Sequence, residues 1–153
     1  METVSFITPG AEHCALISEI ESDCFSNPWK PDSISSMLAN PSYVFELALS
    51  GKKPAGYICS LRTEFEAEIL RIAVKSTFRR NGIASLLMKR MMDYLLEFTS
   101  TCSVFLEVNE SNASAIGLYG KKGFLVTGTR KNYYGNASAL LMKYKVCNEN
   151  NQS

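Results

Sequence analysis

Between a strand-like run, Leu70-Arg71-Ile72-Ala73-Val74, and a long amphipathic stretch lies the segment Arg79-Arg80-Asn81-Gly82-Ile83-Ala84. The first turn of a helix carries backbone N–H groups without partners and a partial positive charge, so a loop entering one at close range is a cradle for an anion. Gly82 and Ala84 leave that approach unobstructed, while Arg79 and Arg80 add fork-shaped cationic donors suited to phosphate oxygens. A pyrophosphate is the natural guest. Taken alone, the loop is equally consistent with a glycine turn whose arginines are merely solvated. It is neither a Walker loop, which requires GxxxxGK followed by Ser or Thr, nor the GxGxxG of a dinucleotide fold. Glu107 is the second residue that stands out. It interrupts the apolar run Val104-Phe105-Leu106-Val108, and strand alternation places it on one face with Phe105 and Ser103. The residues alone leave two readings open, a proton acceptor in a site or a solvent-facing carboxylate on a half-exposed strand.

Periodicity gives the framework around these residues. Val4 to Ile7 reads as a strand, and Gly10 to Phe25 as a helix with Leu16, Ile17, Ile20 and Cys24 along one stripe. Asn27-Pro28-Trp29-Lys30-Pro31 breaks it, and Asp32 to Leu38 forms a second short helix stopped at Asn40-Pro41. Tyr43 to Leu49 and Ala55 to Leu61 form an antiparallel hairpin, and a third strand runs from Ile69 to Lys75. Ile83 to Phe98 is a long amphipathic helix, Val104 to Val108 the next strand, and Ala113 to Lys121 a helix ended by Lys122-Gly123. Phe124 to Arg130 and Ala139 to Tyr144 close the chain as a hairpin. The class is α+β, with one βαβ crossover in the middle.

The 153 residues carry 16 basic and 15 acidic side chains, 46% hydrophobic residues and a formal charge of +1. We expect one soluble domain over residues 1–146 and a polar tail over 147–153. Near-neutrality argues against a chain that works by coating nucleic acid or an anionic membrane. The five cysteines are widely spaced and form no CxxC or Cys/His cluster, so they read as reduced, mostly buried thiols and no metal site is expected. Neither a secretory signal nor a membrane-spanning stretch is recognisable, which implies a cytoplasmic protein. His13, the only histidine, reads as a surface residue.

The Arg-x-x-Gly-x-Ala loop after a strand, with a further βα unit downstream, resembles the acyl-CoA loop of the GNAT family of N-acetyltransferases. Leu106-Glu107-Val108-Asn109-Glu110-Ser111-Asn112-Ala113-Ser114-Ala115-Ile116-Gly117-Leu118-Tyr119, then Gly123-Phe124, then Arg130-Lys131-Asn132-Tyr133-Tyr134, is similar to the RimI-type ribosomal-protein-alanine N-acetyltransferases within it, as is the early Pro28-Trp29. The likeness runs from about Val4 to Tyr144. It implies a mixed, mostly antiparallel sheet with helices on both faces, and acetyl-CoA as the acyl donor. The implied acceptor is the α-amine of a protein, a ribosomal protein beginning with alanine.

The resemblance also assigns roles. Glu107 is implied as proton acceptor and Tyr119 as proton donor to the departing thiolate. A phenol of pKa about 10 is a reasonable acid toward a thiolate of about 8.5, although Ala115, Leu118 and Tyr119 also share a buried helical spacing. Cofactor contacts map onto Ile72, Ala73 and Val74 by backbone pairing, onto Arg80, Asn81, Gly82, Ile83, Ala84 and Ser85 in the loop, and onto Asn112, which by type is also a helix N-cap. Arg130, Tyr133 and Tyr134 are implied to touch the acceptor peptide, and Trp29 to line the same groove or to anchor the first loop. A covalent relay through Cys59 or Cys102, a lysine or small-amine acceptor, and an idle CoA-binding domain are the competing readings. Two positions depart from the pattern: Ala84 replaces the last loop glycine of many members, and Gly135 replaces the proline usual after the paired tyrosines.

Overall fold

The computed structural model describes residues 3–146, the side chain of Tyr134 excepted; the tail 147–153 and its Cys147 lie outside the described residues. Seven strands, β1 (Val4–Ile7), β2 (Tyr43–Ser50), β3 (Lys53–Arg62), β4 (Glu66–Val74), β5 (Ser103–Asn109), β6 (Leu125–Tyr134) and β7 (Ala137–Lys145), form one sheet in the order β1-β2-β3-β4-β5-β7-β6. All neighbours are antiparallel except β4 and β5. Helices α1 (Cys14–Cys24) and α2 (Pro31–Ala39) pack on one face, α3 (Ile83–Leu96) and α4 (Ala113–Lys121) on the other. The α3 face is held by Leu87, Met88, Met91 and Leu95, all fully buried over Ile58, Val104 and Leu106. Each such side chain contributes about 1.5–3 kcal/mol by leaving water.

The element order read from the sequence holds, with shifted bounds. The first helix is shorter than expected, because Ala11–His13 forms a separate single 3₁₀ turn before α1. His13 is not a bare surface residue: its Nδ1 accepts the Gly10 backbone N–H at 2.9 Å and closes that turn. Pro31 opens α2, where its fixed φ and missing donor suit the first helical position. β4 begins three residues before Ile69, since Glu66 and Glu68 alternate with buried Ala67 and Ile69 and so look polar in a linear scan.

Two irregularities reshape the middle of the sheet. On β4, Arg71 pairs with Cys59 and Ile69 with Ser60, so Leu70 is an extra residue, and such a bulge bends and over-twists its strand. On its other side β4 pairs with β5 only from Glu66↔Ser103 to Ile69↔Leu106. Beyond the bulge both strands continue, β4 to Val74 and β5 to Asn109, but no longer as partners. The sheet therefore opens into a V at its centre.

Candidate active site

The V leads into a cleft of about 600 Å³. Ile72, Ala73 and Val74 form one wall, the start of α3 another, and Asn112, Ala115, Leu118 and Tyr119 the third. The Lys75 N–H donates to the Ala55 carbonyl on the β3 side, while the Val74 carbonyl accepts from Arg79 Nε at 3.0 Å and from Cys24 Sγ at 3.4 Å. Because backbone groups alternate sides along a strand, Ile72 and Val74 offer their amides to the cleft and Ala73 turns its own toward β3. Ala73 thus lines the cleft without an outward amide. An extended, amide-bearing ligand could pair with the free edge as a strand would.

At the mouth of α3, Gly82 is the N-cap with φ of 74°, and a Cβ placed there would meet nothing within 4 Å. Glycine is needed for that left-handed backbone rather than for space, and the opening beside the helix start stays unfilled. Arg80 is also left-handed, with φ of 67°, a strained state for a residue with a Cβ. Arg79, Arg80, Gly82, Ile83 and Ala84 line the cleft, with α3's free N–H groups behind them. Two residues of the loop region, Asn81 and Ser85, are not among those lining the cleft. The Asn81 amide donates back to the Phe78 and Arg79 carbonyls at 3.1 and 3.3 Å, bracing the loop, and Ser85 is half-buried away from the lining. Asn112 both caps α4, its Oδ1 accepting the Ala115 N–H at 3.2 Å, and faces the cleft.

Glu107 and Tyr119 do not share this cavity. Val104, Leu106 and Val108 point under α3, with Tyr119 packed in the same core at 6% exposure. Alternation sends Glu107 through to the α1 face, where it lines a groove of about 260 Å³ with Phe105, Leu141 and Arg130. Arg130 Nη2 lies 2.8 Å from Glu107 Oε1, and its guanidinium sits 5.3 Å from the Tyr133 ring centre. A carboxylate on one face and a phenol on the other thus flank the place where β4 and β5 part, and reagents entering from opposite faces would meet there.

The hairpin end bearing Arg130 and Tyr133 is itself irregular. Arg130 pairs with Ala139 and Tyr134 with Ala137, leaving residues 131–133 against one partner, with Asn132 at φ of 54°. It is tied to the end of β5 by the Ser138 N–H donating to Glu110 Oε1 and the Glu110 N–H to the Ser138 carbonyl. The expected contact of the Tyr134 side chain lies outside the described residues.

Glu21 is a residue that sequence reasoning does not single out. It is fully buried and accepts from Tyr57 Oη at 2.7 Å, the Trp29 N–H at 2.8 Å and Arg71 Nη2 at 3.1 Å. Arg71 lies between Phe25 and Trp29, 4.1 and 4.5 Å from their ring centres. The α1–α2 loop is thereby pinned to β4 beside the opening, and Trp29 takes part in that anchor. Burial, then the Glu21 charge, pushes the Tyr57 phenol far up, so it stays a donor. The available signal is Glu21's place within α1's apolar stripe, four residues after Ile17.

Of the described cysteines, only Cys59 is buried; Cys14 and Cys24 are half-buried and Cys102 is exposed just before β5. Burial raises the Cys59 thiol well above its ordinary value, and Cys102 lines neither cavity, so neither is placed as a relay nucleophile. Cys24, which does line the cleft, is also raised, chiefly by burial. Among the described residues, no three His, Cys, Asp or Glu side chains gather as metal ligands, and no helix is long and apolar enough to cross a membrane.

A split β4/β5 pair with a glycine-fed helix at its mouth is an acyl-CoA transferase architecture, and residues 14–124 match the model of the acetyltransferase (GNAT) family; the chain belongs to that family. Among its relatives, the [ribosomal protein bS18]-alanine N-acetyltransferase of Escherichia coli is 31% identical over 154 aligned positions, covering 95% of this chain and 99% of that one. The N-alpha-acetyltransferase RimI of Mycobacterium tuberculosis is 33% identical over 130, covering 81% and 78%. The crystal structure of the Escherichia coli ribosomal-protein-S18-alanine enzyme superposes with a TM-score of 0.87 at 25% identity, over 97% of this chain and 98% of that one. NAA60 of Arabidopsis thaliana, solved with a bisubstrate analogue, shares the fold at a TM-score of 0.83 and 18% identity, over 95% and 100%. The chain is an acetyltransferase whose acyl donor is acetyl-CoA.

Proposed function

We propose that this enzyme acetylates the α-amine of a protein, with the N-terminal alanine of a ribosomal protein as the acceptor, by direct attack in a ternary complex. The observation that carries the reading is the division of the β4/β5 opening between two faces, a cleft with an anion-binding helix start on one and, on the other, the groove carboxylate Glu107, which directly follows the last paired β5 residue, Leu106. Charge is divided between them to suit two different ligands: fixed cations at the loop, Glu107 at the groove. The named activities of the Escherichia coli and Mycobacterium tuberculosis relatives support the acceptor class.

Acyl transfer to an amine needs a neutral nitrogen, a polarised carbonyl and a proton for the thiolate. The free edge of β4 at Ile72 and Val74 orients the donor's amide-bearing arm, and the α3 N-terminus with Arg80 holds its phosphates. Glu107 accepts a proton from the incoming nitrogen, directly or through one water. Tyr119 supplies a proton at the sulfur, from the opposite face. A terminal α-amine has a reference pKa of about 7.7–8.0 against about 10.4 for lysine, so a carboxylate at neutral pH has little deprotonation left to drive. The β6–β7 hairpin, through Thr127, Arg130, Leu141 and Lys143, forms a bank of the groove, while Phe25 of the α1–α2 loop lines the cleft.

The test is to incubate the enzyme with acetyl-CoA and peptides beginning Ala, Ser or Met, each with an internal lysine, and to locate the acetyl group by mass spectrometry. Label on the α-amine, fastest for alanine, is expected. Label confined to lysine overturns the acceptor class, and tight CoA binding without transfer overturns the enzyme reading.

A further inference from the structure

We propose that Glu110, on the turn that leaves β5, is a positioning residue for the acceptor: through Ser138 it fixes the bulged segment of β6 that presents Arg130 and Tyr133 at the groove. This rests on the groove being the acceptor's entry. In an antiparallel sheet, the two residues of a hydrogen-bonded pair exchange both N–H···O bonds. The ladder of β5 and β7 ends at Asn109↔Ala139, and Glu110 faces Ser138 one step further on. Half of that rung is ordinary, the Glu110 N–H donating to the Ser138 carbonyl at 2.9 Å. The other half is made by a side chain, the Ser138 N–H donating to Glu110 Oε1 at 3.0 Å. The chain turns out of the sheet here, with the Asn112 N–H on the Asn109 carbonyl at 2.9 Å, and the carboxylate takes the place that the Glu110 carbonyl would hold in a continuing strand.

On its other side Ser138 faces β6. The β6–β7 pairing passes from Arg130↔Ala139 to Tyr134↔Ala137, so Lys131, Asn132 and Tyr133 all stand against Ser138. Such a bulge leaves its extra residues outside the ladder. Ser138 Oγ accepts the Asn132 N–H at 3.3 Å, and Asn132 is left-handed there, a conformation that asparagine tolerates better than most side chains. One serine is thus bonded in both directions, by its backbone to Glu110 and by its hydroxyl to the bulge. Arg130 lies two residues before Asn132 and Tyr133 one after, the arginine 2.8 Å from Glu107 and its guanidinium 5.3 Å from the Tyr133 ring centre. Removing the carboxylate loosens Ser138, and with it the setting of both side chains over the groove.

The donor side of the same turn has separate support. Asn109 Oδ1 accepts from the Ser111 N–H and hydroxyl at 2.9 and 2.7 Å, and Asn112 caps α4 through the Ala115 N–H at 3.2 Å. None of these bonds uses the Glu110 side chain. Glu110 is exposed, so its replacement leaves the core untouched. Its loss therefore acts on the hairpin bank of the groove and spares the cleft that Asn112 lines. What position 110 requires is an accepting oxygen at the reach of a glutamate side chain. A glutamine oxygen meets that requirement without the charge, and alanine does not.

The experiment follows the steady-state kinetics of the full chain as wild type, Glu110→Ala, Glu110→Gln and Ser138→Ala. Glu110→Ala should raise KM for the acceptor roughly three- to tenfold, the worth of one net hydrogen bond, and leave KM for acetyl-CoA within about twofold. Glu110→Gln should stay within about twofold of wild type for both substrates, because it keeps the accepting oxygen. Ser138→Ala keeps the rung but loses the bond to Asn132, so it should raise the same KM, and combined with Glu110→Ala the two effects should fall short of additive. An unchanged acceptor KM in Glu110→Ala, Glu110→Gln as impaired as Glu110→Ala, an equal rise in KM for acetyl-CoA, or fully additive effects overturns the proposal. Wild-type activity on the peptide panel tests the acceptor class separately, and if lysine proves to be the acceptor the same KM is measured on it. Amide hydrogen exchange needs no acceptor: the Ser138 N–H should be protected in wild type and Glu110→Gln and exchange roughly tenfold faster or more in Glu110→Ala. Equal exchange in all three overturns the side-chain rung.

Discussion

Replacing Glu21 puts the anchoring of the α1–α2 loop to its most severe test. The carboxylate has no exposed surface and receives three donors, from Tyr57, Trp29 and Arg71, the last also an ion pair at 3.1 Å. Glu21→Ala strands all three. A buried donor left without a partner costs about 1–3 kcal/mol, and breaking a fully buried ion pair about 3–5 kcal/mol. Arg71 keeps about a fifth of its side chain in water, 21%, and keeps its stacking on Phe25 and Trp29, so its share is discounted. The expected loss is about 3–5 kcal/mol for Glu21→Ala, and about 1–3 kcal/mol for Glu21→Gln, which preserves an acceptor but not the charge. Urea unfolding at constant m-value measures it. Because the pinned segment is the α1–α2 loop, whose Phe25 lines the donor cleft, Glu21→Gln should also raise KM for acetyl-CoA. A change within about 0.5 kcal/mol, the range of an ordinary surface substitution, would show that Glu21 is not the hub of this anchor.

Two further outcomes concern the cleft. Gly82→Ala should cost about 1–2 kcal/mol through its left-handed φ alone and bind CoA somewhat more weakly, whereas Gly82→Glu should abolish CoA binding by charge, as calorimetry would show. At Gly56 an added Cβ would lie 2.7 Å from the Ala73 carbonyl and 3.1 Å from Val74 Cγ2. Gly56→Ala should therefore displace the free edge of β4 and raise KM for acetyl-CoA; an unchanged KM would show that this edge does not hold the donor.

How much of the fold and site is legible in the chain depends on the range of the contacts. Local signals carry far: the Gly82 loop, the Asn112 cap and the alternation that isolates Glu107 are readable because each is set within a few residues. The offset of Tyr119 and Glu107 onto opposite faces accords with period two at β5, but their separation into different cavities depends on how α4 docks. The Leu70 bulge is invisible in the sequence, since Ile69-Leu70-Arg71-Ile72 reads as an uninterrupted strand and only the β3 register exposes the extra residue. Glu21 leaves a trace in the α1 stripe, yet its partners lie 36 and 50 residues away, at Tyr57 and Arg71, beyond any local pattern. The start of β4 is hidden because Glu66 and Glu68 look too polar for a strand.

The mechanism stands on Glu107 taking a proton from an amine that arrives on the α1 face, independently of how the donor is held on the other. Glu107→Gln, followed in steady-state turnover beside acetyl-CoA affinity, measures this without an intermediate step. A fall of roughly 100-fold or more in kcat with unchanged acetyl-CoA binding is expected. Wild-type turnover, or a loss that comes entirely from weakened acetyl-CoA binding, would remove Glu107 from the role of base.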